Sequence, residues 1–262
     1  MIPISDDNPT LRKPVVTYAL LATLLVVWLF VQGGGGVLGD GPMPLIASVC
    51  NYGLVPAELL RTKPVGFAVP MAPGVACVVD DFWYNALTPI TSMFLHGGWG
   101  HLLGNSLYLW VFGNNVEDSM GRGRFLAFYL LCGLAAAAAH VLVEPGSAVP
   151  TVGASGAISG VLGGYLLLYP RVRVRTFFPP FFLFHVPAWF VLVLWFGGQL
   201  VAGLPQLSPM RPDASSGVAV WAHIGGFVAG VALVKLFEDR TLVRRRATVG
   251  DARAVWAANG GD

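Results

Sequence analysis

Three short stretches of this chain carry side chains able to do chemistry in otherwise apolar surroundings. Ser155 lies in TVGASGAISG (residues 151–160), His223 in WAHIGGFVAG (221–230), and His96, His101 and Asn105 in HGGWGHLLGN (96–105). A serine hydroxyl is a poor nucleophile until a neighbouring base takes its proton. Neutral imidazole, with an unperturbed pKa of about 6.5, suits that task. His101 and Asn105 are four residues apart, so on a helix they share one face. Donors stacked in this way can converge on one oxygen atom. Each stretch also has a plainer reading. His101 and Asn105 serve equally as polar glue between helices, a lone His223 is more often structural, and Ser155 could be a small residue that lets two helices touch.

The elements that must position these residues are apolar and long. Of the 262 residues, 55% are hydrophobic and 11% charged, against about 25% charged in an ordinary soluble domain. A bilayer span needs about 20 mostly apolar residues. Six segments qualify: 15–32, 99–116, 125–143, 152–169, 181–203 and 217–237. They contain no Asp or Glu, and Lys235 is their only Lys or Arg. The fold class expected is therefore an all-α membrane protein. Residues 1–237 form one six-span domain, followed by a basic tail, 238–262. The first segment reads as a retained span, because its apolar run is long and no small-x-small cleavage site follows.

Charge sets the orientation. Thirteen Lys and Arg fall at the N-terminus, after spans two and four, and in the tail; only Arg61, Lys63 and Arg211 fall on the other side. Both termini are then cytoplasmic, and the triplet Arg244–Arg245–Arg246 suits anionic lipid. The net charge of +2 gives no reason to expect nucleic acid. The first outside loop, 33–95, is long, with Gly- and Pro-rich turns and a short helix expected near 56–61. It holds Cys50 and Cys77; the sequence leaves open whether they pair. Cys132, within span three, reads as a buried small apolar residue.

Gly156, Gly160 and Gly164 recur every four residues, and Gly226 and Gly230 lie on nearly the same face as His223. Small residues at this spacing let two helices approach closely. If spans four and six pack seam to seam, Ser155 reaches His223. With no acid in any span, the pair would be a dyad. Ser155 also follows Pro150 at the start of a helix, where backbone N–H groups are unpaired. Other hydrolase patterns fail: residue 157 is Ala where a nucleophile elbow needs Gly, and HExxH is absent.

Taken together, these motifs resemble the rhomboid intramembrane serine proteases. GASG with Ser155, AHIGG with His223, HGGWGHLLGN, and GNNVE ending in Glu117 occur in the order of that family, between about residues 88 and 236. The resemblance implies a six-helix bundle with a cavity wetted from outside, and cleavage of peptide bonds in or near transmembrane segments of membrane proteins. It implies Ser155 as nucleophile and His223 as general base and acid. His101, Asn105 and the Ser155 backbone N–H would form the oxyanion hole. His96, Glu117, Gly153 and Gly156 would be supporting residues. It implies no metal or other cofactor. Membrane-protein substrates and lipids are the expected partners, in a bacterial plasma membrane. Two positions depart from the family. Leu87-Thr88 stands where a Trp-Arg pair is common, with Phe82-Trp83-Tyr84 nearby. Ser159 stands where an aromatic often packs on the histidine, which leaves Trp221, Tyr165 or water to hold His223.

His140 and His185, near span ends, read as interface packing or solvated groups. Trp189, Trp195 and Phe196 of span five read as lipid-facing or core, or as a lateral gate. Residues 207–215 could cap the cavity. Two rival functions remain: an inactive relative that binds and escorts membrane helices, and a carrier whose glycine seams allow rocking. The first would be expected to lose the serine or histidine, and the second to carry intramembrane charges or inverted repeats.

Overall fold

The computed structural model describes residues 1–37, 41–180, 182–204 and 219–244. Its helices fall where the apolar segments do. α1 (Val15–Val26) continues into a wider π-turn, Val27–Val31. α5 (Trp99–Tyr108), a second π-turn (Leu109–Gly113) and α6 (Asn114–Met120) make one continuous rod. α7 (Arg122–Val143), α8 (Ser155–Leu168), α9 (Ala188–Gly203) and α10 (Val220–Phe237) complete the bundle. By length and composition α7 and α10 can cross a membrane, while Val15–Val31, α8 and α9 are shorter apolar helices.

The all-α expectation needs correction. β1 (Ile2–Asp6), β4 (Arg173–Phe178) and β5 (Phe182–Pro187) form an antiparallel sheet in the order β1-β4-β5. Apolar composition alone did not separate this β5 strand from the helix after it. The boundary is Pro187, whose fixed φ and missing N–H suit the cap of α9. The helix of the fifth apolar segment therefore starts at Ala188 rather than 181. The helix of the fourth segment starts at Ser155 rather than 152, because Gly153 has φ +132°, which no right-handed helix contains.

The long loop is built, not loose. It carries α2 (Met43–Tyr52), the expected short helix as α3 (Pro56–Leu60), and a hairpin of β2 (Ala68–Ala72) and β3 (Val75–Val78). A Cys50–Cys77 disulfide ties α2 to β3. A 3₁₀ turn (Trp83–Leu87) and α4 (Thr88–Thr91) lead into the bundle. Residues 207–215 and the tail from 245 lie outside the described residues. The start of the tail is tied down: the Asp239 N–H donates to the Ser119 carbonyl at 2.9 Å.

α1 begins after Pro14 with no side-chain cap of its own. Glu117 of α6 supplies one. Its carboxylate accepts the Val16 N–H at 3.0 Å, and the Thr17 N–H and hydroxyl at 2.8 Å each. A carboxylate at a helix N-terminus satisfies orphan donors and the dipole together. Nearby, Asp6 of β1 accepts from Asn115 and from the Tyr165 hydroxyl, joining the sheet to α6 and α8.

α8 is the centre of the bundle, with ten of its fourteen residues buried, and α7 and α10 lie against it. A Cβ added to Gly226 would overlap the Gly156 carbonyl oxygen, and one on Gly230 the Gly160 carbonyl. The two backbones are in direct contact, as the seam spacing anticipated. Gly164 is the exception. It faces Phe128 of α7 and Val234, while Gly163 carries the third close approach, to the Phe227 carbonyl.

Two outcomes follow for stability. Gly230→Ala places a methyl on backbone that cannot yield, so it is expected to destabilise by about 1–3 kcal/mol, seen as a lower thermal midpoint in detergent. Gly198→Ala, in the interior of α9 with nothing within 4 Å of its Cβ, should not lower the midpoint and should raise it slightly. In the loop, partial burial of Glu58 pushes its carboxyl up from the usual 4.5 to about 7, with Asp80 adding like charge. The folded state therefore holds that proton more tightly than the unfolded chain. The stabilisation is full below pH 4.5 and is lost as pH rises through about 7. Glu58→Gln should flatten the fall in thermal midpoint between pH 5 and 8; an unchanged slope would assign the dependence to another group.

Candidate active site

Residues 144–154, between α7 and α8, cannot be helical at Pro150 and Gly153, yet they are held at several points. Thr151 exchanges backbone bonds with Leu54 at 2.8 and 2.9 Å. Its hydroxyl meets His140 Nε2 at 2.9 Å. The Gly153 N–H donates to the Ser92 carbonyl at 2.9 Å. This clamped approach ends at Ser155, the first residue of α8, whose own N–H has no partner within the helix.

Ser155 Oγ lies 2.8 Å from His223 Nε2. The distance follows from the glycine contacts: Gly156 and Gly226 sit backbone to backbone beside the pair. On the other side of Ser155 is His101. A Cβ at Gly153 would lie 2.7 Å from both Cε1 and Nε2 of that ring, so only glycine lets it approach. The Gly97 N–H donates to His101 Nδ1 at 3.4 Å. The ring proton is thereby assigned to Nε2, the nitrogen turned towards Gly153 and Ser155. Asn105, one turn along α5, is 8% exposed, and its Nδ2 has no hydrogen-bond partner among the described residues. A cavity of about 500 Å³ joins these groups, lined by His101, Asn105, Ser155, Trp195 and His223.

His96 does not line that cavity. Its backbone is clasped by the Gln32 amide, which donates to its carbonyl at 2.8 Å and accepts its N–H at 2.9 Å. Its ring lies edge-on to His101 with centroids 5.1 Å apart, so it backs that ring. Glu117 caps α1 and stands apart from the cavity lining. Gly156 packs against Ala136 and Ala222. Ser159 is fully buried and donates to the Ser155 carbonyl at 2.6 Å. Trp189 is half exposed, and Phe196 stacks on Phe227 at 4.3 Å.

Neither side chain proposed to hold His223 does so. The Tyr165 hydroxyl is taken by Asp6, and Trp221 Nε1 makes no hydrogen bond to any described residue. His223 Nδ1 instead meets Gln199 Oε1 of α9 at 2.8 Å, and Trp195 lies 5.9 Å from its ring. The signal for Gln199 was present: it is the one amide in the sixteen apolar residues of α9, and a polar group in such a segment needs a partner. Among the described residues no group of His, Cys, Asp or Glu is arranged to hold a metal ion.

Fold and site together define a helical-bundle protein with a serine–histidine pair in a cavity at one end of α8. The chain belongs to the rhomboid family: residues 83–239 match the Rhomboid domain. It is 35% identical over 218 residues to rhomboid protease GluP of Bacillus subtilis (strain 168), covering 83% of this chain and 34% of that one. It is 29% identical over 161 residues to Rhomboid protein 1, mitochondrial, of Saccharomyces cerevisiae (strain ATCC 204508 / S288c), covering 58% of this chain and 42% of that one. This chain thus spans well under two thirds of the length of either relative. The family is one of integral membrane proteins and includes proteases.

Proposed function

We propose that this chain is an intramembrane serine endopeptidase that cleaves membrane-protein substrates within or near their transmembrane segments. The observation that carries this reading is the 2.8 Å contact between Ser155 Oγ and His223 Nε2, inside a cavity and among apolar helices. His223 Nε2 takes the hydroxyl proton as Ser155 Oγ attacks the scissile carbonyl carbon. Negative charge develops on the carbonyl oxygen, and donors aimed at that point stabilise it most in the transition state. Three are at hand: the Ser155 N–H at the start of α8, His101 Nε2–H, and the otherwise unpartnered Asn105 Nδ2. His223 then gives its proton to the leaving amine, and an acyl group remains on Ser155. Water, deprotonated by His223, releases the acid and restores the serine.

The bundle would carry six spans with both termini cytoplasmic, supported by the 13-to-3 split of Lys and Arg. In that frame the β1-β4-β5 sheet is cytoplasmic and the disulfide lies on the outer, oxidising side. Ser155 and Leu168 are the two ends of α8, about 20 Å apart at 1.5 Å per residue. The serine thus lies below the outer surface of a hydrocarbon core about 30 Å thick. Its irregular approach, 144–154, lines the cavity, the one place at that depth where unpaired backbone is tolerated.

Ser155→Ala and His223→Ala are each expected to lower cleavage of a reconstituted transmembrane substrate by at least about 10³-fold while the protein stays folded. A fluorophosphonate probe should label the wild type at Ser155 alone. Normal cleavage by either variant, or labelling elsewhere, would sink the assignment. Asn105→Ala should lower kcat by about 10²-fold or more with little change in KM. Equal loss in both, or in neither, would remove Asn105 from the oxyanion site.

A further inference from the structure

An imidazole serves as a base towards Ser155 only if the nitrogen facing the hydroxyl is the unprotonated one. Nothing in the serine–histidine contact itself secures this. If Nε2 carried the proton, it would merely donate to Oγ, and the hydroxyl would keep its hydrogen. The tautomer must be set at the far nitrogen, Nδ1. There the structure places an amide oxygen: Gln199 Oε1, at 2.8 Å. An amide oxygen accepts and cannot donate. The contact therefore holds a proton on Nδ1 and leaves the Nε2 lone pair facing Ser155 Oγ at 2.8 Å.

The polar side chains considered as alternatives give His223 no acceptor. The Tyr165 hydroxyl donates to Asp6, and the Ser159 hydroxyl to the Ser155 carbonyl. Trp221 Nε1 can only donate, and Trp195 presents its ring to His223 at 5.9 Å, tilted by 40°. Gln199 itself is fixed by the packing of α9 on α10. Phe196 stacks on Phe227 at 4.3 Å, and Gly203 admits Val220 and Trp221, which would meet a Cβ there at 3.2 and 3.4 Å.

We propose that Gln199 is the positioning residue of the base, turning the pair into a Ser155–His223–Gln199 relay drawn from α8, α10 and α9. This rests on the serine–histidine reading above. It makes the competence of the base depend on α9 remaining packed on α10, since no residue of α8 or α10 provides the acceptor. Trp195 and Gln199 together then fix the ring from one helix.

The test compares Gln199→Met, of similar length but without the acceptor, with Gln199→Glu, which keeps it. In Gln199→Met, kcat on a reconstituted transmembrane substrate should fall roughly 10- to 100-fold, with KM and thermal midpoint little changed. The second-order rate of fluorophosphonate labelling at Ser155 should fall in parallel, because it reads nucleophilicity without substrate binding. Gln199→Glu should retain most of both rates. Independently of turnover, ¹⁵N-histidine spectra should place the His223 proton on Nδ1 in the wild type and in Gln199→Glu, and lose that preference in Gln199→Met. Wild-type kcat and labelling in Gln199→Met, an unchanged tautomer, or equal losses in Met and Glu variants would each overturn the proposal. Inactive Ser155→Ala and His223→Ala beside a fully active Gln199→Met would sink Gln199 alone. Cleavage surviving in Ser155→Ala would overturn the underlying reading instead.

Discussion

The contact on which everything else depends is backbone against backbone, between α8 and α10. Gly156 and Gly160 offer carbonyl oxygens, and Gly226 and Gly230 leave room for them. Between helices in an apolar medium there is little hydrophobic drive to associate, so close van der Waals approach must supply the attraction. Glycine permits that approach because no Cβ stands between the chains. The same contact sets the geometry of the serine–histidine pair. Ser155 precedes Gly156, and His223 precedes Gly226 by one turn less a residue. The separation of two glycine backbones therefore becomes the separation of a hydroxyl and an imidazole.

Around that contact the polar groups divide into two kinds. Some are fully engaged and hold the frame: Glu117 on the start of α1, Gln32 around the His96 backbone, Asp6 between Asn115 and Tyr165. Others are left with capacity to spare at the cavity, namely Asn105 Nδ2 and the N–H at the head of α8. A buried donor without a partner is costly, and here the cost falls where an oxyanion would form. In the proposed chemistry the clamps on Thr151 and Gly153 would serve the same end, because donors help a transition state only if they are fixed before charge develops.

Ser159 leaves the histidine ring to be held from another helix. Its small side chain bonds the Ser155 carbonyl one turn back and gives the His223 ring no aromatic neighbour from α8. The helix opposite compensates, with Trp195 beside the ring and Gln199 at Nδ1.

Much of this was legible in the residues themselves. Long apolar segments, the four-residue glycine spacing, and the i, i+4 pair His101 and Asn105 depend on local periodicity, which a chain cannot conceal. They indicate most of the helices, the glycine seam and the serine, histidines and asparagine that line the cavity. The sequence could not place β5, because Phe182–Val186 is as apolar as the helix it precedes and only pairing with β4 makes it a strand. Nor could it join Cys50 to Cys77, choose Gly163 over Gly164 for the third close approach, or turn Gln199 towards His223. Each of those depends on the rotation and distance of one element relative to another far along the chain. Periodicity determines which face of a helix is special; only the packed bundle decides which atom that face meets.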